Sequence, residues 1–350
     1  MIRVAIIGAG IGAEHLDGYR ELPDRFQVAT LCDLNEERAK AAIGSDPIKI
    51  STDLDAVLAD PTIDIVDVCL PPHLHFPVSL QALKAGKHVI CEKPMTRSLK
   101  EADDLKAAID TSGKELFPVF QYRFGKATAQ LTALMKAGLA GKPYVASLET
   151  HWNRDAEYYS VPWRGTWQGE TGGALLSHAI HSHDLLCHVF GPIASVFATA
   201  ATRVIDIETE DCAALTFRME NGALATSSVT LGAGDDTSRL RFCFEGVTAE
   251  SGTAPYTPAQ DTWRFIARAP VTQDQIDEVL ASVPEVANGF TGYLQAIADK
   301  LDNEQGNAVK FTDGRQSIEL VTAIYTSVRN GQSVALPLDA NAEFYTGWMP

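Results

Sequence analysis

The chain is short of positive charge: 29 Lys and Arg stand against 45 Asp and Glu in 350 residues, a formal net charge of -16. A surface that negative repels phosphate backbones and anionic lipid, which argues against nucleic acid and membrane partners. It leaves room for an anionic cofactor held locally by backbone N–H groups at a helix start. Paired cysteines are also lacking. Cys32, Cys69, Cys91, Cys187, Cys212 and Cys243 are scattered without a CxxC pair, so reduced thiols in a cytoplasm are expected rather than a disulfide framework. No apolar run approaches the roughly 20 residues of a membrane span. No signal-peptide layout precedes the opening strand Ile2-Arg3-Val4-Ala5-Ile6-Ile7, and neither an internal repeat nor a low-complexity tract is present. What remains is an ordinary globular composition, 45% hydrophobic and 21% charged, long enough for two domains.

Up to about residue 121, short β-branched runs (2–7, 28–32, 64–70, 88–92, 115–120) alternate with segments of helical period such as Glu36–Ile43, Phe76–Ala85 and Leu99–Thr111. Ser98 followed by Glu101 predicts a capping box at the start of the last of these. Strand–helix alternation implies a doubly wound parallel sheet over 1–121. Beyond it the pattern changes. A helix at Ala127–Ala137 leads to strand-like runs at 144–151, 193–201, 211–218, 223–231 and 239–245, with Asn221-Gly222 as a hairpin turn. A long helix is predicted over Gly173–Phe190, and two more at about 286–303 and 314–329. Residues 122–350 therefore read as an α+β domain with a large, open, mostly antiparallel sheet.

Gly8-Ala9-Gly10-Ile11-Gly12-Ala13 follows the first strand directly and fits the G-x-G-x-x-A form of the dinucleotide fingerprint. Gly8 allows the tight turn, Gly10 the approach of a pyrophosphate, and Ala13 the packing of helix on strand. Asp33 ends the next strand, where a carboxylate accepts bonds from the adenosine ribose and repels a 2′-phosphate. NAD is thus preferred over NADP, although Arg38, a short turn further on, leaves NADP possible.

Three later segments carry a resemblance. Cys69-Leu70-Pro71-Pro72-His73-Leu74-His75 comes at the end of the 64–70 run, Glu92-Lys93-Pro94 ends the 88–92 run, and Gly172-Gly173 precedes His181-Ser182-His183-Asp184. With Pro162-Trp163-Arg164-Gly165, Gly314-Arg315 and the Tyr345 to Trp348 tail, the chain resembles the Gfo/Idh/MocA family, the glucose–fructose oxidoreductase and inositol dehydrogenase group, over essentially its whole length. Such a resemblance implies NAD-dependent hydride transfer at a secondary alcohol of a sugar, sugar derivative or cyclitol. It also implies a cis Lys93–Pro94 peptide, Lys93 as the cation beside the reacting oxygen, and His181 sharing in proton transfer. A positioned cation and a nearby base are what that chemistry requires. Ile11, Gly12, Leu34, Leu70, Pro71, His75, Glu92, Trp163 and Arg164 complete the expected cofactor site. Arg123, His151, Tyr158, Arg164 and His178 join Lys93 and His181 at the substrate, and an open sheet face would make a homodimer or homotetramer.

The sequence departs from the family pattern at Ser177, where an aspartate usually stands four residues before the histidine. On one continuous helix Ser177 and His181 would be neighbours, and the adjacent His178 is the obvious substitute for the missing carboxylate. His178, His181, His183 and His188 crowd one segment, but no HExxH or matching carboxylates accompany them, so no metal is expected. Two other readings stand beside the dehydrogenase. One is a relative that uses NAD transiently for elimination or glycoside cleavage. The other is a non-catalytic dinucleotide sensor, which would have no need of Lys93, Pro94 and His181 together.

Overall fold

A computed structural model of the chain describes residues 1–303 and 306–350. The chain divides into two units, Met1–Phe120 with Phe290–Ile318, and Gln121–Gly289 with Glu319–Pro350. The first opens β1 (Ile2–Ile7), α1 (Gly12–Arg20), β2 (Phe26–Cys32), α2 (Glu36–Ile43), β3 (Lys49–Ser51), α3 (Leu54–Ala59), β4 (Ile65–Val68), α4 (His75–Lys84), β5 (His88–Cys91), α5 (Leu99–Ser112), β6 (Leu116–Pro118). The strands are all parallel, in the order β3-β2-β1-β4-β5-β6. Ile65, Val66, Val68, Val89 and Ile90 are wholly buried, as β-branched residues of central parallel strands covered on both faces must be. Chain order reverses at β1, which lies between β2 and β4, and that switch point opens the crevice where such sheets bind ligands. The three-residue β3 escaped the sequence reading because it is too short to show a period.

Ser98 caps α5 as expected, accepting from the Glu101 N–H at 3.1 Å. The reciprocal half of the box does not form. Glu101 turns to Arg97 instead, accepting from its N–H at 2.9 Å and from its guanidinium at 2.6 Å, because a charge-assisted bond outweighs a neutral one.

The second unit contains α6 (Lys126–Lys136), β7 (Pro143–Asn153), α7 (Ala174–Ser177), α8 (Ile180–Phe190), β8 (Ile193–Ala201), β9 (Cys212–Met219), β10 (Leu224–Thr230), β11 (Gly232–Phe244), β12 (Val247–Glu250), β13 (Arg264–Ala267) and α9 (Gln273–Ser282). Next come α10 (Gly289–Asn303), α11 (Phe311–Asn330) and β14 (Val334–Ala335). The eight-stranded sheet runs β13-β12-β11-β7-β10-β9-β8-β14. Its neighbours are antiparallel except β7 and β10. Gly222, with φ +89°, turns the β9–β10 hairpin. One sheet face is covered by α8, whose Phe190 ring lies 5.5 Å from Phe242 and 5.1 Å from Phe244.

Two expectations need correction. The division at residue 121 assigned the whole remainder to the second domain, yet Phe290–Ile318 belongs to the first unit. There Tyr293 donates to the Phe117 carbonyl at 3.0 Å, Phe290 packs 4.4 Å from the His15 ring, and Arg25 pairs with Asp299 at 2.9 Å. Docking over that sequence separation leaves no local signal. Second, the helix over Gly173–Phe190 is broken at His178, whose φ of -122° and ψ of -58° end α7 before α8 begins.

The tail is anchored by Trp348. It is fully buried, donates to the Thr171 carbonyl at 2.7 Å and stacks on Tyr325 at 5.7 Å. Trp348→Ala is expected to cost about 3–5 kcal/mol of stability, read as a drop in chemical-denaturation midpoint.

Candidate active site

The first unit builds a crevice at the carboxyl end of β1. Gly8 turns the chain with φ +104°, and a Cβ there would meet the Cys69 carbonyl oxygen at 2.4 Å. Gly10 differs, since nothing lies within 4 Å of the place its Cβ would take. Packing inside the chain does not require glycine at that point, whereas a pyrophosphate approaching the backbone does. Ile11 is the N-cap of α1 and provides no side-chain cap; the Ala13 and Glu14 N–H groups bond the Gly10 and Ile11 carbonyls, so an anion would meet the earlier part of this turn.

Asp33 follows β2. Its carboxylate accepts from the Ala9 N–H at 2.7 Å and the Asn35 N–H at 2.8 Å, while Arg38 forks onto it at 2.8 Å. Burial pushes the acid's pKa up, but those donors outweigh it and hold the group below the ordinary carboxylate value. Leu34, beside it, is 91% exposed. The residues expected at the ribose end therefore lie together, with Arg38 already engaged by Asp33. Asn35 was missed, although an Asn before Glu36-Glu37 is an N-cap signal.

Beneath the crevice lies a buried ionic cluster. His15 Nδ1 is 2.9 Å from Asp67 Oδ2, and its Nε2 is 3.1 Å from Glu92 Oε1. Tyr19 donates to Asp67 at 3.0 Å. Burial alone would lower the His15 pKa, but the Asp67 charge and hydrogen bond raise it well above its ordinary value. The ring is thus an imidazolium that donates from both nitrogens. The other oxygen of Glu92 accepts from the Lys93 N–H at 3.0 Å, which fixes the main chain of this half-buried lysine, and the Lys93–Pro94 peptide is cis. His15, Asp67 and Cys69 bring potential ligand atoms within 4.8 Å of one another. Burial drives the Cys69 thiol pKa far up, which favours the neutral thiol, a poorer metal ligand than a thiolate.

His75 does not present a ring nitrogen to a ligand. Its two nitrogens sit 2.7 Å from the Pro94 carbonyl and 2.6 Å from that of Leu70, which ties the Leu70-Pro71 turn to Pro94. A buried imidazole takes main-chain partners where solvent is absent.

In the second unit, Glu210 reaches across to the Gly172-Gly173 turn. It accepts from the N–H groups of Gly173 and Leu175 and from the Tyr325 hydroxyl, at 3.1, 3.0 and 3.0 Å. A Cβ at Gly173 would meet the Glu210 carbonyl oxygen at 2.0 Å, so this glycine is needed for the close approach. Ser177, at the end of the short α7 helix, donates to the Gly173 carbonyl at 2.8 Å and lies 2.7 Å from His178 Nδ1. Because the helix breaks there, Ser177 addresses His178 and not His181. His181 instead stacks on Tyr122 at 4.3 Å, and Arg123 forks onto Asp184 at 2.6 and 2.7 Å.

Around His178 stands an aromatic and cationic cluster. Trp152 meets its ring edge-on at 5.1 Å, and the Tyr158 hydroxyl is 3.4 Å from Nε2. The Arg164 guanidinium lies 3.8 Å over the Tyr158 ring and 5.2 Å from that of Trp163. Its Nε is buried without a hydrogen-bond partner, and among the described residues no carboxylate pairs with it. Arg154 lies over Trp152 and Tyr158 at 4.9 and 5.1 Å and pairs with Asp236 at 3.0 Å, while Tyr256 bonds both. His151 is not part of this cluster. Strand alternation turns it to the opposite face, where Nε2 meets Ser228 Oγ at 2.9 Å, and Trp152 takes the place expected of it. Asp236 and Tyr256 were missed because each comes from a distant segment with no motif of its own.

A doubly wound sheet with a glycine-turn crevice, a carboxylate after β2 and a lysine at the end of β5 has the pattern of a dinucleotide-dependent oxidoreductase. Residues 2–120 match the oxidoreductase family with an NAD-binding Rossmann fold, and residues 128–250 match the GFO/IDH/MocA C-terminal domain. The chain belongs to the Gfo/Idh/MocA family, and NAD is its cofactor. The uncharacterized oxidoreductase YrbE of Bacillus subtilis (strain 168) is 28% identical over 276 residues, 76% of this chain and 79% of the relative. From the same strain, scyllo-inositol 2-dehydrogenase (NADP(+)) IolW is 23% identical over 96% of each chain. Among solved structures, the WlbA dehydrogenase from Bordetella pertussis, in complex with NADH and UDP-GlcNAcA, is 29% identical. It superimposes with a TM-score of 0.84 over 97% of this chain and 99% of that one.

Two outcomes are expected. Gly10→Ala should melt like the parent, since its Cβ enters open space, yet bind NADH about tenfold or more weakly in a fluorescence titration. Glu210 is a pH probe, because burial pushes its carboxyl from an ordinary 4.5 up to about 7. Between those values the folded protein holds a proton that the unfolded chain has lost, so this group's contribution falls as pH rises through the window and is level above it. The difference in melting temperature between parent and Glu210→Gln should therefore change across that window and nowhere higher.

Proposed function

We propose that the protein transfers hydride between NAD(H) and a secondary alcohol of a sugar, sugar derivative or cyclitol. The observation that carries this is the buried His15 imidazolium, which clamps Glu92 and through it the main chain of Lys93. Holding the main chain fixes where the Lys93 side chain leaves the turn, and its ammonium would serve an oxygen that gains negative charge. Gly8, Gly10, Ile11 and Gly12 would hold the pyrophosphate, and Asp33, Leu34 and Arg38 the adenosine ribose. Leu70, Pro71, His75, Glu92 and Lys93 would shape the nicotinamide end, with Trp163 and Arg164 joining the site as in the family. Bound NAD+ supplies the hydride acceptor. Lys93 stabilises the substrate oxygen, and His181 shares in the proton transfer.

The substrate class is supported by the relatives, one named for scyllo-inositol and one solved with UDP-GlcNAcA. Within the second unit, half-buried Tyr158 and exposed Tyr256 would contact a sugar ring, and Arg164 suits a carboxylate or phosphate on it. The ionised Asp33 favours NAD over NADP by repelling a 2′-phosphate. Homodimer or homotetramer assembly would use the uncovered sheet face, where Tyr144, Val145, Phe197, Leu224 and Ile266 are exposed. The unpaired cysteines support a reducing cytoplasm, and among the described residues no helix is long and apolar enough to cross a membrane.

One observation favours a second reading: Ser177 leaves the usual carboxylate position without a charge. Transient oxidation followed by elimination would consume substrate without accumulating NADH.

The test is a panel of inositols, aldoses, glucosides and sugar acids, followed by NADH absorbance with NAD+ and NADP+. Net NADH from at least one member, faster with NAD+, is expected. Asp33→Ser, which frees Arg38, should shift the NAD/NADP preference by about tenfold or more. Substrate loss without NADH would establish the eliminative reading, and a protein that binds neither dinucleotide would end both.

A further inference from the structure

Among the described residues, one residue other than glycine has a positive φ: Thr171, at +69°. That conformation is sterically costly for a β-branched side chain, and such outliers persist only where the surroundings impose them. The side chain itself offsets nothing, since Thr171 is wholly buried and its hydroxyl has no hydrogen-bond partner. Its main chain is what is held. The Thr171 carbonyl accepts from the Trp348 indole N–H at 2.7 Å, across 177 positions of sequence. Trp348 is in turn fixed: the ring is fully buried and stacks on Tyr325 at 5.7 Å. Arg329 donates to the Trp348 carbonyl while lying 4.5 Å over the Phe344 ring.

Thr171 ends a loop that closes on itself. The neighbouring Glu170 accepts from the Gly165 N–H at 2.6 Å, and its own N–H donates to the Thr166 carbonyl at 3.0 Å. Gly169 lies so close to Trp163 that a Cβ on it would meet the Trp163 carbonyl oxygen at 2.5 Å. On the other side of Thr171, Glu210 holds the Gly173 N–H at 3.1 Å. With that side anchored, a return of Thr171 to the ordinary negative φ would swing Glu170 and the loop before it to a new direction. We propose that Trp348 is a positioning residue, whose indole N–H straps Thr171 into the left-handed conformation and so holds the loop 163–170, with the Arg164 guanidinium 3.8 Å over Tyr158. Packing alone would need only the ring. The strap needs the N–H, and that separates the two.

Hydrogen exchange of the full-length protein reads the strap without any ligand. Trp348→Phe keeps a ring against Tyr325 and removes the donor. The Gly165, Gly169 and Glu170 amides should then exchange about tenfold or more faster, while those of β8 and β9 keep the parent rate. Glycine takes the left-handed conformation without steric cost. Trp348→Phe made on a Thr171→Gly background should therefore change the loop amides by less than about threefold. Uniform loosening of loop and sheet, no loosening at all, or an equal effect with threonine and glycine at 171 overturns the proposal. So does a Trp348 indole N–H that exchanges freely in the parent, a measurement that needs no variant. The effect on turnover rests on the dehydrogenase reading, in which this loop carries Trp163 and Arg164; the exchange measurements do not. With NAD+ and scyllo-inositol, D-glucose or D-glucuronate, Trp348→Phe should lower kcat/KM about tenfold, and adding Thr171→Gly should restore it to within about threefold of the parent. A loop that loosens with kcat/KM unchanged overturns the positioning role. A parent whose loop behaves as expected, yet oxidises nothing in the panel, overturns the dehydrogenase reading and leaves the strap standing.

Discussion

An imidazole with no solvent exposure, its pKa raised by Asp67, sits between two carboxylates in the first unit, and the arrangement of the crevice depends on keeping it paired. His15 comes from α1, Asp67 from β4 and Glu92 from the end of β5. Three elements that the doubly wound topology brings side by side are thus joined by ionic bonds in a medium of low dielectric. Removing one partner of such a pair costs about 3–5 kcal/mol, because the other charge is left buried and alone. The helix that begins at the glycine turn and the turn that carries Lys93 are consequently one electrostatic body.

The second unit repeats the device with a different residue. Glu210, buried, holds the start of α7 through two backbone N–H groups and Tyr325. Only glycine at 173 lets it come so near. That anchor fixes Gly173, whose carbonyl accepts from the Ser177 hydroxyl. Although the chain as a whole is strongly acidic, Arg154 and Arg164 stand together over aromatic rings within this unit. Net charge governs what approaches from a distance, whereas these local cations govern what is held.

Much of the first unit was legible because its signals are local. Gly8, Gly10 and Asp33 declare themselves by position relative to two strands, and Lys93 by its flanking Glu and Pro. The second unit was less open to reading. His151 and Trp152 are adjacent, and only the phase of β7 decides which one faces the cluster; the sequence alternates too weakly there to tell. Ser177 and His181 have helical spacing, yet the break at His178 gives Ser177 a different partner. Asp236 and Tyr256 meet Arg154 only because β11 and a later loop return to the end of β7. His75 shows the converse: its motif was plain, but its ring nitrogens turned out to serve two carbonyls.

The sequence alone determined the fold class, the glycine turn after β1, the carboxylate after β2 and the lysine at a strand end, since each follows from residue type and spacing over a few tens of residues. Tertiary structure decided the rest. It returned Phe290–Ile318 to the first unit, raised the His15 pKa, gave Arg38 to Asp33 and set Ser177 beside His178. Those outcomes depend on burial and on partners far away in the chain, and a charge or a proton is placed by its surroundings rather than by its neighbours in sequence.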